Sequence, residues 1–281
     1  MEKQLSSAAK MLLWSAGGLA FLAGPVLLFF PTQTEAYFAW TIQHPLTPIF
    51  MGANYLGGLG ALWAVRTNRW SVARVQMPGI FVFAITQLAA TLLHLSIFNW
   101  SHPIAWGWLV VYIVSPVATL FIYLRMEEGD IPPTSATAVS SRKLTSIFRA
   151  FALVSAIFGI GLILWPFFTT APDQGSAVPW WAWTLTPLTA HVAGGWYLAA
   201  ATLHYTLSCQ RSPITMGPSL LGLVIVSSAQ LLGALVWRDT FDGPPAFITL
   251  YLLNSIAMFV FSSFLLLRNL SSFRLISSSP P

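Results

Sequence analysis

Apolar runs of about twenty residues, separated by short polar breaks, dominate the chain from end to end. They fall at 11–30, 46–65, 78–98, 104–124, 148–168, 186–206, 219–237 and 246–267. About twenty residues of helix, at about 1.5 Å each, cover about 30 Å of hydrocarbon. The pattern therefore predicts an all-α integral membrane protein with eight transmembrane helices. Prolines punctuate it: Pro25 predicts a kink in the first span and Pro116 an interruption of the fourth. Pro45 and Pro187 open the second and sixth, where a missing N–H costs nothing. The polar start Met1–Lys10 and long apolar run Met11–Phe30 read as a retained first helix rather than a cleaved signal.

The pattern is written twice. Trp40-Thr41 with Pro45-Leu46-Thr47 returns as Trp183-Thr184 with Pro187-Leu188-Thr189. Gly52, Tyr55 and Leu56 return as Gly194, Tyr197 and Leu198, Gln87-Leu88 as Gln230-Leu231, and Arg125 as Arg268. Pro31 pairs with Pro166 and Pro78 with Pro218. Three segments result: a first four-helix unit over 1–125, a cytoplasmic linker over 126–146 containing Glu127, Glu128 and Asp130, and a second unit over 147–281. An even number of spans per unit makes the repeats parallel, related about the membrane normal. Gly52, Gly57, Gly60, Gly159, Gly161 and Gly194 mark close helix contacts.

Composition agrees: 56% of residues are hydrophobic and 7% charged, against about a quarter in soluble domains. The net charge of +5 is spread over short loops, which argues for topology and against nucleic acid. With the N-terminus cytoplasmic, Lys3, Lys10, Arg66, Arg69, Arg74, Arg125, Arg142, Lys143, Arg149, Arg211, Arg268 and Arg274 share one side. Arg238 alone takes the other, so both termini are expected to be cytoplasmic. The single Cys209 excludes an internal disulfide and any cysteine-pair metal site.

Candidate chemistry is sparse. All eight acidic residues fall in loops or at helix ends, which argues against ion coupling and paired-carboxylate hydrolysis and leaves no catalytic residue to name. Gln87 and Gln230, at matching depths, are expected to bond across a helix interface or to form a polar patch for a ligand head. Asn54 and Asn254 are further buried amides, and Arg238, beside Asp239 and Asp242, is either a surface pair or an anion contact. His44, His94, His102 and His191 gather at the outer face, as interface anchors or, for His94 and His191, as axial ligands of a haem or chlorin. Their repeat counterparts are Ile49 for His191 and Trp237 for His94, and no zinc or di-iron spacing occurs. Most of the thirteen tryptophans lie at the outer boundary as an aromatic belt.

The pattern Pro31, Ala39-Trp40-Thr41, Pro45-Leu46-Thr47 and Gly52 to Leu56 resembles that of uncharacterised bacterial multi-pass membrane proteins built from two tandem four-helix units. The resemblance implies a fold and an inner-membrane location, without an activity. The sequence therefore supports a membrane protein that binds or translocates a small or amphipathic molecule between its halves, with the bilayer as its partner. Its alternatives are a haem- or pigment-binding redox subunit and a structural subunit of a larger membrane complex.

Overall fold

A computed structural model describes residues 2–127, 142–168 and 177–269. Most of the linker, with Glu128 and Asp130, lies outside them, as do Asp173 and Arg274. Among the described residues all regular structure is helical, with one isolated bridge between Gln4 and Arg69. The helices are α1 (Ser7–Phe29), α2 (Thr34–Tyr37), α3 (Leu46–Leu56), α4 (Leu59–Thr67), α5 (Trp70–Ala73), α6 (Met77–Leu93), α7 (Pro103–Glu127), α8 (Arg142–Leu164), α9 (Pro187–Ser208), α10 (Pro213–Val236) and α11 (Pro245–Arg268).

Helix occupies every expected window, and five of these helices (α1, α7, α8 with its last turn, α10 and α11) are long and apolar enough to cross a membrane. The chain is thus an all-helical protein with the character of a multi-pass membrane protein. Three windows differ in detail. The second divides at Gly57–Gly58 into α3 and α4, where the Gly57 and Gly58 amides bond back to the closing turn of α3. The third is a 17-residue helix that stops at His94, followed by a tight turn over Leu95–Ile97. The fourth runs unbroken through Pro116, contrary to the expected interruption. Neighbouring helices and local adjustment can satisfy the carbonyl that a proline frees in a membrane helix.

The inner layer is α3–α4, α6, α9 and α10, and its pairings cross between the two halves of the chain. α6 packs on α9, and α10 packs on α3 and α4. Outside them, α1 packs on α3–α4, α8 on α9, α7 on α6 and α11 on α10. The outer faces are apolar: Met11, Leu22, Val117, Phe121, Leu153, Ile157 and Leu267 are all exposed. Such surface has no place in water and matches lipid tails.

Glycines set the closest approaches. A Cβ on Gly52 would lie 2.7 Å from the Gly24 oxygen, and one on Gly194 would lie 2.9 Å from the Gly159 oxygen. Leu56 covers Gly24 as Leu198 covers Gly159. These are the same contacts at positions the sequence pairs.

The two ends of the bundle are chemically distinct. At one, Lys3 donates to the Met126 carbonyl, Glu2 pairs with Arg69 at 3.4 Å, and Glu127 pairs with Arg74 at 3.6 Å while accepting from Trp70 Nε1. At the other, the loop carrying Trp40 to His44 meets the loops before α9 and α11.

Candidate functional site

Two aromatic nests stand under the second end. In the first, Phe38, Phe98 and Trp108 surround Trp40, with Trp108 edge-on to Trp40 at 5.0 Å and 86°. In the second, Trp181, Phe241 and Tyr251 surround Trp183, with Tyr251 edge-on at 5.1 Å and 83°. Such edge-on geometry sets the positive rim of one ring on the negative face of the next. The nests differ in one donor. Trp183 Nε1 donates to Thr47 Oγ1 at 2.9 Å, whereas the buried Trp40 Nε1 has no partner among the described residues. Thr189, the counterpart of Thr47, turns its hydroxyl into a capping box with Thr186 at the start of α9. His44 replaces Thr186 in the first half and accepts from the Leu46 amide through Nδ1, so Thr47 is released to reach Trp183.

Gln87 and Gln230 are both buried, and they have different partners. Gln87 Nε2 donates to the Val192 carbonyl of α9 at 3.1 Å, across the two halves. Gln230 Oε1 accepts from Ser255 of α11 at 3.1 Å, within its own half. The cause is one side chain. Gly195 lets Gln87 approach, since a Cβ there would stand 2.6 Å from its amide nitrogen. Ala53 takes that place on α3, and the Phe50 carbonyl, counterpart of Val192, is claimed by Asn54 Nδ2 at 2.8 Å. Asn54 is therefore committed to its own helix.

His94 and His191 do come together. His94 Nε2 and His191 Nδ1 are 2.8 Å apart, with ring centroids at 5.0 Å. His191 Nε2 is buried, with no well-formed hydrogen bond among the described residues. Two imidazoles bonded to each other do not fit a haem or chlorin ligand pair. A tetrahedral metal held between them at about 2.0 Å from each nitrogen needs those nitrogens about 3.3 Å apart. Among the described residues, no group of three or more His, Cys, Asp or Glu side chains is placed to hold a metal ion. Ile49, the counterpart of His191, packs onto Gly233, one turn before the Trp237 that stands for His94.

Arg238 is exposed and pairs with Asp239 at 3.6 Å, while Asp242 serves the fold. Its two oxygens accept from the Thr184 amide and hydroxyl, both at 2.7 Å, and one lies 3.5 Å from His44 Nε2. His44 also bonds to the Thr240 carbonyl at 3.0 Å. Burial lowers the His44 pKa; the Asp242 charge and the Thr240 carbonyl oppose that shift. Beside this clasp, Trp181, Trp183, Asp242 and Pro244 line a hollow of about 300 Å³.

A larger hollow, of about 490 Å³, opens sideways where α6 meets α8 and α9. Its floor is Ala152, Ala156, Ala201 and Thr202, its walls are Val82, Leu153 and Leu198, and Arg149 and Tyr205 stand at one end. The volume lies within the range of about 300–1,000 Å³ typical of ligand pockets. α8 and α9 run antiparallel here, since Gly159 meets Gly194 and Phe151 meets His204. Arg149 is exposed, and among the described residues no hydrogen bond or ion pair holds its guanidinium. Sequence reasoning missed this groove. Its signal was a run of small side chains four or so residues apart on two helices, with one arginine a turn or two inside an apolar span.

No family model, curated protein or solved structure matches this chain.

Proposed function

We propose that the protein is a multi-pass component of a bacterial inner membrane, of the uncharacterised two-unit kind its sequence resembles, that holds a small or amphipathic molecule at the α6–α8–α9 groove. In this reading all eight apolar helices span the bilayer, as units 1–125 and 147–281 joined by 126–146, with both termini cytoplasmic. The matched nests around Trp40 and Trp183 and the matched glycine contacts support the repeat. The cluster of Lys3, Arg69 and Arg74 at one end supports the orientation.

One observation carries the site: the seam between the halves is sealed by packing around Gln87, yet beside it a largely apolar groove of about 490 Å³ opens toward lipid. Its Val82 wall belongs to the first unit and the rest to the second, so a molecule lodged there touches both. Gln87 and Gln230 tie helices in this arrangement. The mutual bond of His94 and His191 favours this reading over the haem or pigment one.

The test is photolabelling in mild detergent with a lysophosphatidylcholine carrying a diazirine in its chain. Label is expected on Leu153, Ala156 and Leu198, with loss when Ala201→Trp fills the floor. Label spread evenly over the outer helices, unchanged in Ala201→Trp, rejects the groove.

A further inference from the structure

We propose that the groove's occupant is an anionic glycerophospholipid of the surrounding bilayer, its headgroup bound by Arg149; this rests on the groove reading above. The groove has a direction. Arg149 and Tyr205 stand at the same level of the antiparallel pair α8–α9 and form its polar end. From Arg149, the lining continues through Ala152, Leu153 and Ala156 to the level of Leu198, about 10 Å of apolar surface along the helix. A polar group at one end and apolar walls beyond it describe a molecule with one head and at least one chain.

The depth is that of a headgroup. Arg149 lies seven residues into α8 from Arg142, within the first two turns of a helix that begins at the basic end of the bundle. A long arginine there extends its guanidinium to the interface while its methylenes stay in hydrocarbon. Its planar fork suits a phosphate diester.

Charge selects among lipids. Arg149 has no carboxylate partner among the described residues, and Arg142 and Lys143 precede it on the same helix. An anionic head neutralises this cluster, whereas a zwitterionic head brings a cation of its own beside Arg149. Tyr205, exposed opposite Arg149, supplies a hydroxyl to the same head.

The counterpart flank in the first half lacks both parts. Trp14 stands where Arg149 does, by the pairing of Pro31 with Pro166. Gly17 stands where Ala152 does, and Leu62 lies on it. The groove on α8 and α9, with Val82 of α6 at its side, therefore has no counterpart on the matching flank.

The experiment is native mass spectrometry of the full chain released from mixed micelles holding equal amounts of phosphatidylglycerol and phosphatidylcholine. One retained lipid is expected, with phosphatidylglycerol favoured about fivefold, the effect of one basic residue near a membrane surface. Arg149→Gln is expected to bring the ratio to about one while still retaining a lipid, Arg149→Lys to keep part of the preference, and Lys143→Gln to change it little. A retained lipid with no preference in the wild type, or a preference untouched by Arg149→Gln, overturns the headgroup inference and leaves the groove standing. Retention of no lipid by wild type and Ala201→Trp alike overturns both. Melting temperatures of each variant, taken in lipid-free detergent, separate a lost ligand from a lost fold.

Discussion

The two seams between the halves are built from matching helices, α6 on α9 and α10 on α3–α4, yet they are joined by different means. The α10 seam is closed by backbone contact: Gly57, Gly60 and Gly222 let the chains meet, and Ile49 sits on Gly233. The α6 seam is joined by polar side chains: Gln87 to the Val192 carbonyl, Thr206 to the Val75 carbonyl, and His94 to His191. In lipid there is no hydrophobic drive between helices, so close packing and hydrogen bonds are alternative ways to hold them. The break at Gly57–Gly58 divides α3 from α4, and both pack on α10, whereas α9 runs unbroken along α6 with the groove beside it.

The largest effect is expected from filling the backbone seam. A Cβ on Gly60 would overlap the Pro218 carbonyl oxygen, which cannot rotate away. Gly60→Ala should cost about 3 kcal/mol, the upper part of the usual range for overpacking. Gly195→Ala meets the Thr86 hydroxyl and the Gln87 amide, side-chain ends that can turn, with the Thr86 Cβ behind them at 3.1 Å, and should cost less. Melting of both variants in one detergent checks the order; equal losses would mean the seams are held alike.

Next is the donor that crosses from nest to nest. Thr47→Val keeps the shape and strands Trp183 Nε1 in the core, at a cost of about 1–2 kcal/mol. Thr47→Ser should restore most of that. Thr189→Val breaks a capping box instead, for about 1 kcal/mol, and should leave Trp183 fluorescence as it was.

Much of this architecture is visible in the sequence, and what is not has physical reasons. The apolar windows and the doubled Trp-Thr, Pro-Leu-Thr motif locate the helices because burying a backbone in lipid demands long uninterrupted runs. Helix ends were less legible: Gly57 read as a packing residue, yet with Gly58 it ends α3. The crossing of α6 to α9 depends on contacts between residues far apart in sequence, such as Gln87 and Val192, and no local period encodes it. His94 and His191 were legible as residues at one face, while their mutual bond was not. Arg149 read as one more topology charge, and the groove beside it consists of side chains that are small.

The polar seam is also testable as a pair. A double-mutant cycle of His94→Leu and His191→Leu should show a coupling of about 0.6 kcal/mol, and below about 1.7 kcal/mol, as found for hydrogen bonds between membrane helices. Replacing both side chains leaves an apolar contact, as the other seam has where Ile49 meets Gly233. The double variant should therefore melt close to the wild type. A double variant much less stable than the sum of the singles would show that the imidazoles hold more than each other.

The smallest effect lies outside the helices, at the His44 clasp. His44 is held neutral by burial, with Nδ1 accepting from the Leu46 amide and Nε2 donating to the Thr240 carbonyl. Protonation places a hydrogen on Nδ1 and removes the acceptor that starts α3. Because the folded pKa is lowered, the folded chain binds fewer protons there than the unfolded chain. The clasp's contribution is complete above the unfolded value of about 6.5 and is lost as the pH falls below it toward the folded one. Asp242, 3.5 Å away, attracts the imidazolium and softens the loss, so Asp242→Asn should steepen it. The melting temperature of the wild type should therefore fall between pH 7 and pH 5 by more than that of His44→Gln. The Asp242→Asn variant should be compared by slope alone, because it also weakens the bonds to Thr184. If the wild type and His44→Gln fall in parallel, the acid sensitivity lies elsewhere and the clasp is held by its neighbours rather than by this imidazole.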